Sequence, residues 1–453
     1  MRRTAPFTTV LLAATLAGCA SYQPLPLDTH ARAPVDAADI RIDAATLPLP
    51  ELRRHRFDPA DGLDMTEVAT LAVANNPQLR LARDERGIAQ AQAFAAGLLP
   101  DPILDVSQEF PFSGPDVTRA FDLHLSYDVR ALLTHSVTVD AAQAHARRID
   151  LELLWQEWQV VGKARQLFIR DRFESQALAL LERERDLLVQ RHAAMEDADR
   201  RGDVSLAALA TDMVALQDVE RQLDVLQRKR LATDQRLNAL LGLSARAKLE
   251  LVGTTRLVPR DAQAVDRNLA ALPRRRPDLL ALEAGYRSED ARYRKAILEQ
   301  FPAIDVGFLR SRDSGGTNAR GFGLSLTLPL FDRNRGRIAV EQATRQRLHD
   351  EYAIRLEHAR AGVRRILQDR TILRARRAEI DSALLLARQT LAAARPAQAR
   401  GDMSQADYVR LEQAALDRRL ERLGIDRRLQ EQTAALRTLL GEPRSQPHQP
   451  GHR

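Results

Sequence analysis

Between residues 348 and 394 the sequence runs LHDEYAIRLEHARAGVRRILQDRTILRARRAEIDSALLLARQTLAAA, with apolar side chains at alternating steps of three and four residues. This spacing predicts a coiled-coil seam, in which one stripe of a helix packs against a partner helix. Arg370 and Arg377 occupy two skipped positions, where each is expected to lay its stem along the seam and its charge in solvent. We predict one helix from about Arg333 to Ala399, a rod of roughly 100 Å that no compact domain can contain. The seam residues are Leu348, Tyr352, Leu356, Ala359, Val363, Ile366, Leu373, Ile380, Leu384, Ala387, Leu391 and Ala394.

The chain contains the same markers twice, in the same order and about 200 residues apart. Each half predicts a helix, two strands, a very long helix, a tight glycine turn and a returning helix. The predicted fold class is therefore mainly α with a small β part, built from two tandem repeats. The matched markers are Asn76-Pro77-Gln78-Leu79 with Arg276-Pro277-Asp278-Leu279, Asp105-Val106 with Asp305-Val306, Arg201-Gly202-Asp203 with Arg400-Gly401-Asp402, and Leu240-Leu241-Gly242 with Leu439-Leu440-Gly441.

Two glycine turns, Gly202-Asp203 and Gly401-Asp402, are predicted to form the tips of two helical hairpins. Their Arg-Gly-Asp triplets stand at the same place in both repeats, which favours a structural turn over an adhesion motif. Pro396 precedes the second tip and is expected to end or kink that helix early. The first returning helix is predicted to pack through Leu206, Leu209, Met213, Leu216, Leu223 and Leu226.

Four stretches alternate apolar and polar side chains, which is the period of a strand with one apolar face. The clearest is Thr118 to Val129, and each stretch is about ten residues long, as a tilted barrel strand requires. Pattern alone allows a small antiparallel sheet packed on helices equally well. The length, and Phe112, Phe301 and Phe331 near the strand ends, favour a membrane barrel. The apolar faces contain Leu104, Val106 and Phe110, then Phe121, Leu123, Leu125, Tyr127 and Val129, then Ile304, Val306 and Phe308, then Phe322, Leu324, Leu326 and Leu328.

Four strands cannot close a barrel, and a bilayer tolerates no sheet with a free edge. The chain is therefore expected to share its barrel with copies of itself. Two copies would give an eight-stranded barrel filled by side chains, whereas three copies would give twelve strands and leave a passage. We predict a homotrimer.

Composition argues against several other classes of protein. Only 4% of the residues are aromatic and 28% are charged, which favours long two-faced helices over a compact core. The formal net charge is +7, but Arg alternates with Asp and Glu along the helices, so no nucleic-acid partner is expected. The single cysteine excludes a disulfide framework and a cysteine-based zinc site. The sequence contains no nucleophile elbow, phosphate loop or His-Glu-x-x-His pair, so we expect no enzyme, no cofactor and no resident metal.

The N-terminal segment has the features of a bacterial export signal. Arg2 and Arg3 precede an apolar stretch too short to span a membrane, so residues 1–18 are predicted to be a signal peptide. Leu16-Ala17-Gly18-Cys19 resembles a lipobox, in which Cys19 is lipidated and becomes the mature N-terminus. Residues 19–62 are then a lipidated N-terminal extension, and residues 443–453 are predicted to be a disordered tail.

Several segments carry a family resemblance. Residues 71–77 (LAVANNP), 275–279 (RRPDL) and 301–304 (FPAI) together resemble the TolC-like outer-membrane efflux protein family, from about Leu63 to Gly441. Residues 329–336 (PLFDRNRG) are most similar to its heavy-metal efflux branch. The resemblance makes residues 63–265 the first efflux-protein repeat and residues 266–442 the second.

The resemblance implies a trimer whose twelve-stranded transmembrane β-barrel, four strands per protomer, joins an α-helical periplasmic barrel. A periplasmic adaptor and an inner-membrane resistance-nodulation-division pump would feed it, and metal ions or small toxic compounds would pass passively to the exterior. Family channels have acidic rings near the periplasmic end. Asp407 falls at such a position with Arg410 one turn further, so both are candidate gate residues. Two solvated charges beside a turn are an equal alternative.

Two other functions stay open at this point. A periplasmic adaptor lipoprotein also combines a helical hairpin with strands, but adaptors have one hairpin, whereas this chain predicts two with the strands at the opposite end. The exit duct of a peptide or protein export system is the other alternative. The expected location is the outer membrane, lipid-anchored and barrel-inserted, with the helices in the periplasm.

Overall fold

The computed structural model describes residues 22–29, 33–43, 47, 49–113, 118–259 and 261–441. Among the described residues, those from Pro34 onward form one compact unit and those before it form another. The predicted signal peptide, the predicted lipidation site Cys19 and the predicted tail 443–453 lie outside the described residues. Among the helices of the described part, none is long and apolar enough to cross a membrane.

Each half of the chain supplies two strands followed by a very long helix and a returning helix. Before the first repeat the chain forms two short 3₁₀ turns, Ala37–Asp39 and Pro59–Asp61. The predicted fold class, mainly α with a small antiparallel sheet, is confirmed. In chain order the elements are α1 Pro50–Arg53, α2 Met65–Asn75, α3 Pro77–Gly97, β1 Ile103–Glu109, β2 Ala120–Asp128, α4 Val129–Arg200, α5 Leu206–Leu241, α6 Ala262–Ala270, α7 Leu272–Arg275, α8 Pro277–Leu298, β3 Ala303–Arg312, β4 Asn318–Thr327, α9 Arg335–Ala399 and α10 Gln405–Leu439.

In each repeat, the start of the helix that precedes the strands is hydrogen-bonded to the end of the returning helix. The side-chain oxygen of Asn76 caps α3 by accepting the amide of Leu79. Its side-chain nitrogen donates to the carbonyl of Leu240, 2.8 Å away, at the end of α5. In the second repeat Arg276 donates to the carbonyl of Leu439 at the end of α10 and to both carboxylate oxygens of Asp278. Carbonyls in the last turn of a helix have no hydrogen-bond partner within the helix. Asn76 and Arg276 each donate a hydrogen bond to such a carbonyl. The duplication is therefore visible in the hydrogen bonds as well as in the sequence.

The seam of α9 is buried against α10, with one departure from the prediction. Arg377 keeps its guanidinium near the surface, 3.0 Å from Asp426. The guanidinium of Arg370 was expected in solvent, and this prediction is wrong. Arg370 is buried and donates to the carbonyl of Leu429 at 2.9 Å and the hydroxyl of Thr433 at 2.8 Å. Burial, and the nearby positive charge of Arg374, lower the pKa of Arg370. The hydroxyl and carbonyl that α10 offers at this level explain why the charge stays inside.

The packing stripe of α5 also differs from the prediction. Leu206 and Met213 are exposed, whereas Asp212 is fully buried, with Ala215 and Val219 beside it on the same stripe. The predicted seam was therefore misplaced near the tip, since the helix turns a carboxylate and two small side chains inward. Asp212 faces inward because its carboxylate pairs with Arg191 on α4.

Pro396 was predicted to end or kink α9 early, and the predicted early end is wrong. The helix continues through it to Ala399, and the carbonyl of Pro396 accepts from the amide of Arg400 at 3.2 Å. A proline leaves one carbonyl of the preceding turn without a donor. In the last turn this loss is small, because the helix is about to end.

The four strands form one antiparallel sheet in the order β1-β2-β3-β4. β2, β3 and β4 have nine or ten residues each, close to the predicted length, but β1 has only seven. The strand predicted to reach Val129 ends at Asp128, and α4 begins at the next residue. The side chain of Asp128 accepts from the amide of Ala131 and so caps the helix that continues from the strand. The sheet is thereby joined directly to the helical part.

Candidate functional site

One face of the sheet is apolar and exposed. Leu125 of β2, Phe308 of β3 and Phe322 of β4 form one cross-strand row, with Leu104 of β1 at its end. Phe322 is 91% exposed, and the rings of Phe308 and Phe322 meet edge to face with centroids 5.9 Å apart. A sheet packed on helices would bury this row, so that alternative does not fit. An exposed apolar surface of this kind marks a membrane or a protein partner.

The opposite face of the sheet is polar and acidic. Asp105 lies opposite His124, with Oδ2 of the carboxylate 3.9 Å from Nδ1 of the imidazole. Further along, Asp128 lies opposite Asp305. The His124 ring lies over Gly307, where an added Cβ would collide with it, so the glycine makes room for the ring. The register thus separates apolar from acidic side chains, as the alternation predicts.

The sheet has two open edges within the described chain, β1 and β4. Every residue of β1 is exposed. An edge strand presents free N–H and C=O groups that readily pair with another strand. In a single copy, both edges of the sheet are therefore open to pairing with a further strand.

The two predicted hairpin tips have the same backbone geometry. Gly202 and Gly401 adopt positive φ values of 78° and 83°, which glycine reaches without strain. The amides of Asp203 and Asp402 reach back to helical carbonyls at 2.8 and 2.9 Å, which closes the last turn of α4 and of α9. Each aspartate also pairs with the arginine two residues before it, at 2.9 and 2.8 Å. Both tips are thus helix-ending turns of one kind.

Replacing either tip glycine with alanine is expected to destabilise its turn by about 1 to 2 kcal/mol, because a Cβ strains a left-handed residue. Nothing lies within 4 Å of the added Cβ at Gly202 or Gly401, so the backbone alone causes the loss. Hydrogen exchange of the tip amides measures it.

The matched control is Gly87→Ala in the exposed interior of α3, where the added Cβ also meets open space. Alanine should stabilise that helix by up to about 1 kcal/mol. Equal effects of the same sign at Gly87 and Gly401 would contradict the assignment of the turns.

Asp407 and Arg410 lie together just after the second tip. Nη2 of Arg410 is 3.2 Å from Oδ1 of Asp407, and both side chains are exposed. Asp407 also accepts from the hydroxyl of Ser404 at 2.6 Å, while its amide donates back to that oxygen at 3.1 Å. This reciprocal cap holds the first turn of α10. The counterpart position in the first repeat is Ala208, so the acidic group is a property of the second tip alone.

A buried polar cluster between the two hairpins was not predicted from the sequence. Arg191 of α4 places Nε 2.5 Å from Oδ1 of Asp212 on α5, and it also pairs with Glu412 on α10. Asp212 is fully buried, and Nδ1 of His192 lies 3.8 Å from its Oδ2. One guanidinium therefore joins the first hairpin to the second through two carboxylates.

The electrostatics of this cluster follow from its depth. Burial works to lower the pKa of Arg191, but the hydrogen bond and negative charge of Glu412, together with the charge of Asp212, raise it above its usual value. Burial and the charge of Glu412 raise the pKa of the neighbouring Glu184 carboxyl. The signal in the sequence was an aspartate on an apolar stripe, because a carboxylate at such a position needs a partner.

One group of residues, His55, Asp64 and Glu67, lies close enough together to hold a metal ion. The contacts of these carboxylates give them another role. Both oxygens of Glu67 accept backbone amides, from Asp58 at 2.9 Å and from Asp64 at 2.8 Å. Asp64 in turn accepts the amides of Thr66 and Glu67. Asp64 and Glu67 thus form a capping box, and their role is to stabilise the first turn of α2.

Comparisons with known proteins agree with this geometry. Residues 269–442 match the family model of the outer membrane efflux protein. The matched range includes Arg276, Asp407 and Arg410. No curated protein sequence matches the chain significantly.

Solved structures share the fold along most of the chain. A crystal structure of CusC, described in terms of transmembrane channel formation, has a TM-score of 0.71 at 18% identity over 87% of this chain and 96% of its own. The outer membrane protein VceC from Vibrio cholerae has a TM-score of 0.70 at 17% identity over 83% of this chain and 96% of its own. The MtrE outer membrane channel of Neisseria gonorrhoeae, in its open state, has a TM-score of 0.68 at 18% identity over 83% of this chain and 88% of its own.

Proposed function

We propose that this chain, whose second repeat is that of an outer membrane efflux protein and whose fold is that of outer-membrane channels, is one protomer of a homotrimeric exit channel. Three sheets close a twelve-stranded barrel in the outer membrane, and six helical hairpins continue it as a tunnel through the periplasm. A periplasmic adaptor and an inner-membrane resistance-nodulation-division pump deliver the cargo. The exposed apolar face of an edge-open sheet is the observation that carries the proposal.

The physical argument begins at the sheet. Its apolar face is uncovered by any described helix, and burying such side chains in hydrocarbon is favourable. Hydrocarbon, however, accepts no unpaired strand edge. Both requirements are met when β4 of one copy pairs with β1 of the next and the ring closes. Three copies give an interior wide enough for a passage.

The polar face of the sheet then lines that passage. Its aspartates, among them Asp105, Asp128 and Asp305, favour cations in a confined aqueous bore. The protein performs no reaction and the cargo moves passively. Metal ions or small toxic compounds are the proposed cargo, selected by the pump. The adaptor alternative fits poorly, because the chain has two hairpins with the sheet at the opposite end of both long helices.

Lipidation of Cys19 belongs to the same proposal and rests on Leu16-Ala17-Gly18-Cys19. The acyl chains would anchor the mature N-terminus in the inner leaflet of the outer membrane. Intact-mass measurement of the purified protein tests this, since an unmodified N-terminus upstream of residue 19 would contradict it.

The trimer is tested on purified protein in detergent and in planar bilayers. We expect a trimeric mass by light scattering and cation-selective conductance after insertion, because an acidic bore attracts cations. A chain that stays monomeric in membranes would refute the shared barrel.

Removal of the charge at Asp407 is expected to raise conductance and weaken block by multivalent cations. We propose that three copies of Asp407 focus negative potential at the narrow periplasmic end, where Arg410 pairs with them. Asp407→Asn removes the charge but keeps an oxygen that can accept from Ser404, so the helix start is preserved. Single-channel recording in planar bilayers measures the effect.

The control is Asp313→Asn in the turn between β3 and β4, where the carboxylate accepts the amide of Thr317. It lies at the opposite end of the molecule and should change neither conductance nor cation block. If Asp407→Asn behaves like Asp313→Asn, Asp407 is only a helix cap.

A further inference from the structure

Two arginines lie directly opposite each other on the apolar face of the sheet. The register pairs Arg310 of β3 with Arg320 of β4, one row beyond the pair Phe308 and Phe322 on the same face. Both arginines are exposed. Side chains directly opposite in an antiparallel pair have Cβ atoms about 5 Å apart, and like charges at that distance destabilise the pair. An anion between the two guanidinium groups would relieve this repulsion.

Two more arginines extend the same patch. Arg312 lies two residues beyond Arg310 on β3, so it faces the same side. Arg119 precedes β2, and its guanidinium lies 5.1 Å from the centre of the Phe110 ring. We call Arg119, Arg310, Arg312 and Arg320 the arginine belt. Within the described part of the chain, no carboxylate forms an ion pair with any of the four.

The arginine belt stands at one end of the apolar face only. It lies at the loop end of the sheet, where β1 ends and β4 begins, away from the start of α4. At the helix end the same face presents Tyr127, Ile304 and Leu326 and no charged side chain. Placing a charged side chain near the membrane interface costs little free energy, whereas placing it at the bilayer centre costs much. When the row of Phe308 and Phe322 lies in hydrocarbon, the arginine belt lies at the depth of the lipid headgroups.

We propose that the arginine belt is a binding site for phosphate groups of lipids in the leaflet around the loop end of the barrel. Guanidinium groups present paired N–H donors that match phosphate oxygens, and two of them side by side can hold one phosphate between them. The site faces outward at headgroup depth, so a membrane lipid reaches it and cargo in the bore does not. This inference rests on the proposed function, because it places the apolar face in a bilayer.

The test uses the full-length trimer in nanodiscs of phosphatidylcholine with or without lipid A, which carries two phosphate groups. Lipid A retained per trimer is counted by native mass spectrometry, and its affinity is measured by titration. R310Q/R320Q is expected to lower that affinity about 25-fold, since each basic residue at an anionic surface contributes about fivefold. R310K/R320K should retain part of the affinity, because lysine keeps the charge without the paired donors.

The matched control is R364Q/R365Q, which removes two exposed arginines from α9 far from the sheet and should leave lipid A binding unchanged. Excess inorganic phosphate should not displace lipid A from the wild-type trimer, which distinguishes a lipid site from a site for free phosphate.

Conductance in planar bilayers separates the two proposals. If R310Q/R320Q inserts and conducts but binds lipid A as tightly as wild type, the arginine belt is not a lipid site and the channel stands. If the wild-type chain neither inserts nor conducts, the channel proposal fails and this inference fails with it.

Discussion

Arg191→Met is expected to destabilise the packing of the two hairpins by about 3 to 5 kcal/mol, the usual cost of removing one partner from a buried ion pair. The loss is large because Asp212 is fully buried, and without the guanidinium its carboxylate keeps only the more distant imidazole of His192, 3.8 Å away. Glu412 loses the same partner, so the contact between α4 and α10 weakens as well. Thermal unfolding of the purified protein measures the loss, and hydrogen exchange should show it on both hairpins.

The control for Arg191 is Arg185→Met on the same helix, where the side chain is exposed and pairs with its neighbour Asp186. Solvent screens exposed pairs of this kind, so this replacement should change the stability little. The combined replacement R191M/D212L/E412L should recover most of the lost stability, because an apolar cluster needs no charge compensation. If Arg191→Met and Arg185→Met shift the melting temperature equally, the buried cluster does not hold the hairpins together.

Leu324→Arg is expected to destabilise the inserted barrel by roughly 2 to 4 kcal/mol, as a charge on the lipid-facing side of a barrel does near the midplane. Leu324 lies opposite Val306 on the apolar face, well inside the row of Arg310 and Arg320, and 65% of it is exposed in the single chain. Three copies of the substitution act on one trimer. Urea titration of the trimer in lipid vesicles, followed by gel mobility without boiling, measures the loss.

Ser325→Arg gives the matched comparison, because the next residue along a strand faces the opposite side of the sheet. Ser325 lies opposite Asp305 on the acidic face. The arginine there should leave the trimer intact and reduce cation conductance, since it adds positive charge to the bore. If Ser325→Arg destabilised the trimer as much as Leu324→Arg, the assignment of lipid-facing and bore-facing sides would be wrong.

Much of the fold could be predicted because its elements are long and strongly periodic. The rod predicted from about Arg333 to Ala399 is observed as a 65-residue helix, Arg335–Ala399. The four strands and their faces also follow the predicted alternation. The turns at Gly202 and Gly401 are found where the repeat placed them, with the positive φ that glycine allows. Duplication helped here, since each half of the sequence supports the interpretation of the other.

Other features could not be predicted from the sequence. Met213 was assigned to a seam that the structure gives to Asp212, and Arg370 was assigned to solvent although it is buried. Each error concerned a polar residue on or next to an apolar stripe. Hydropathy counts such a residue as exposed, whereas its actual position depends on the partner that another helix offers.

The long helices, the two-faced strands and the glycine turns could be read from the sequence, because each depends on residues a few positions apart, and the repeat followed from markers that recur in order. Which side chains meet across the hairpins depends on tertiary packing. Arg191 and Glu412 stand 221 residues apart, and their contact depends on how each helix is rotated about its own axis. Strand register likewise decided that Arg310 faces Arg320. A one-residue slip reverses the faces of a whole strand, and that choice is made by packing along the sheet rather than by the strand alone.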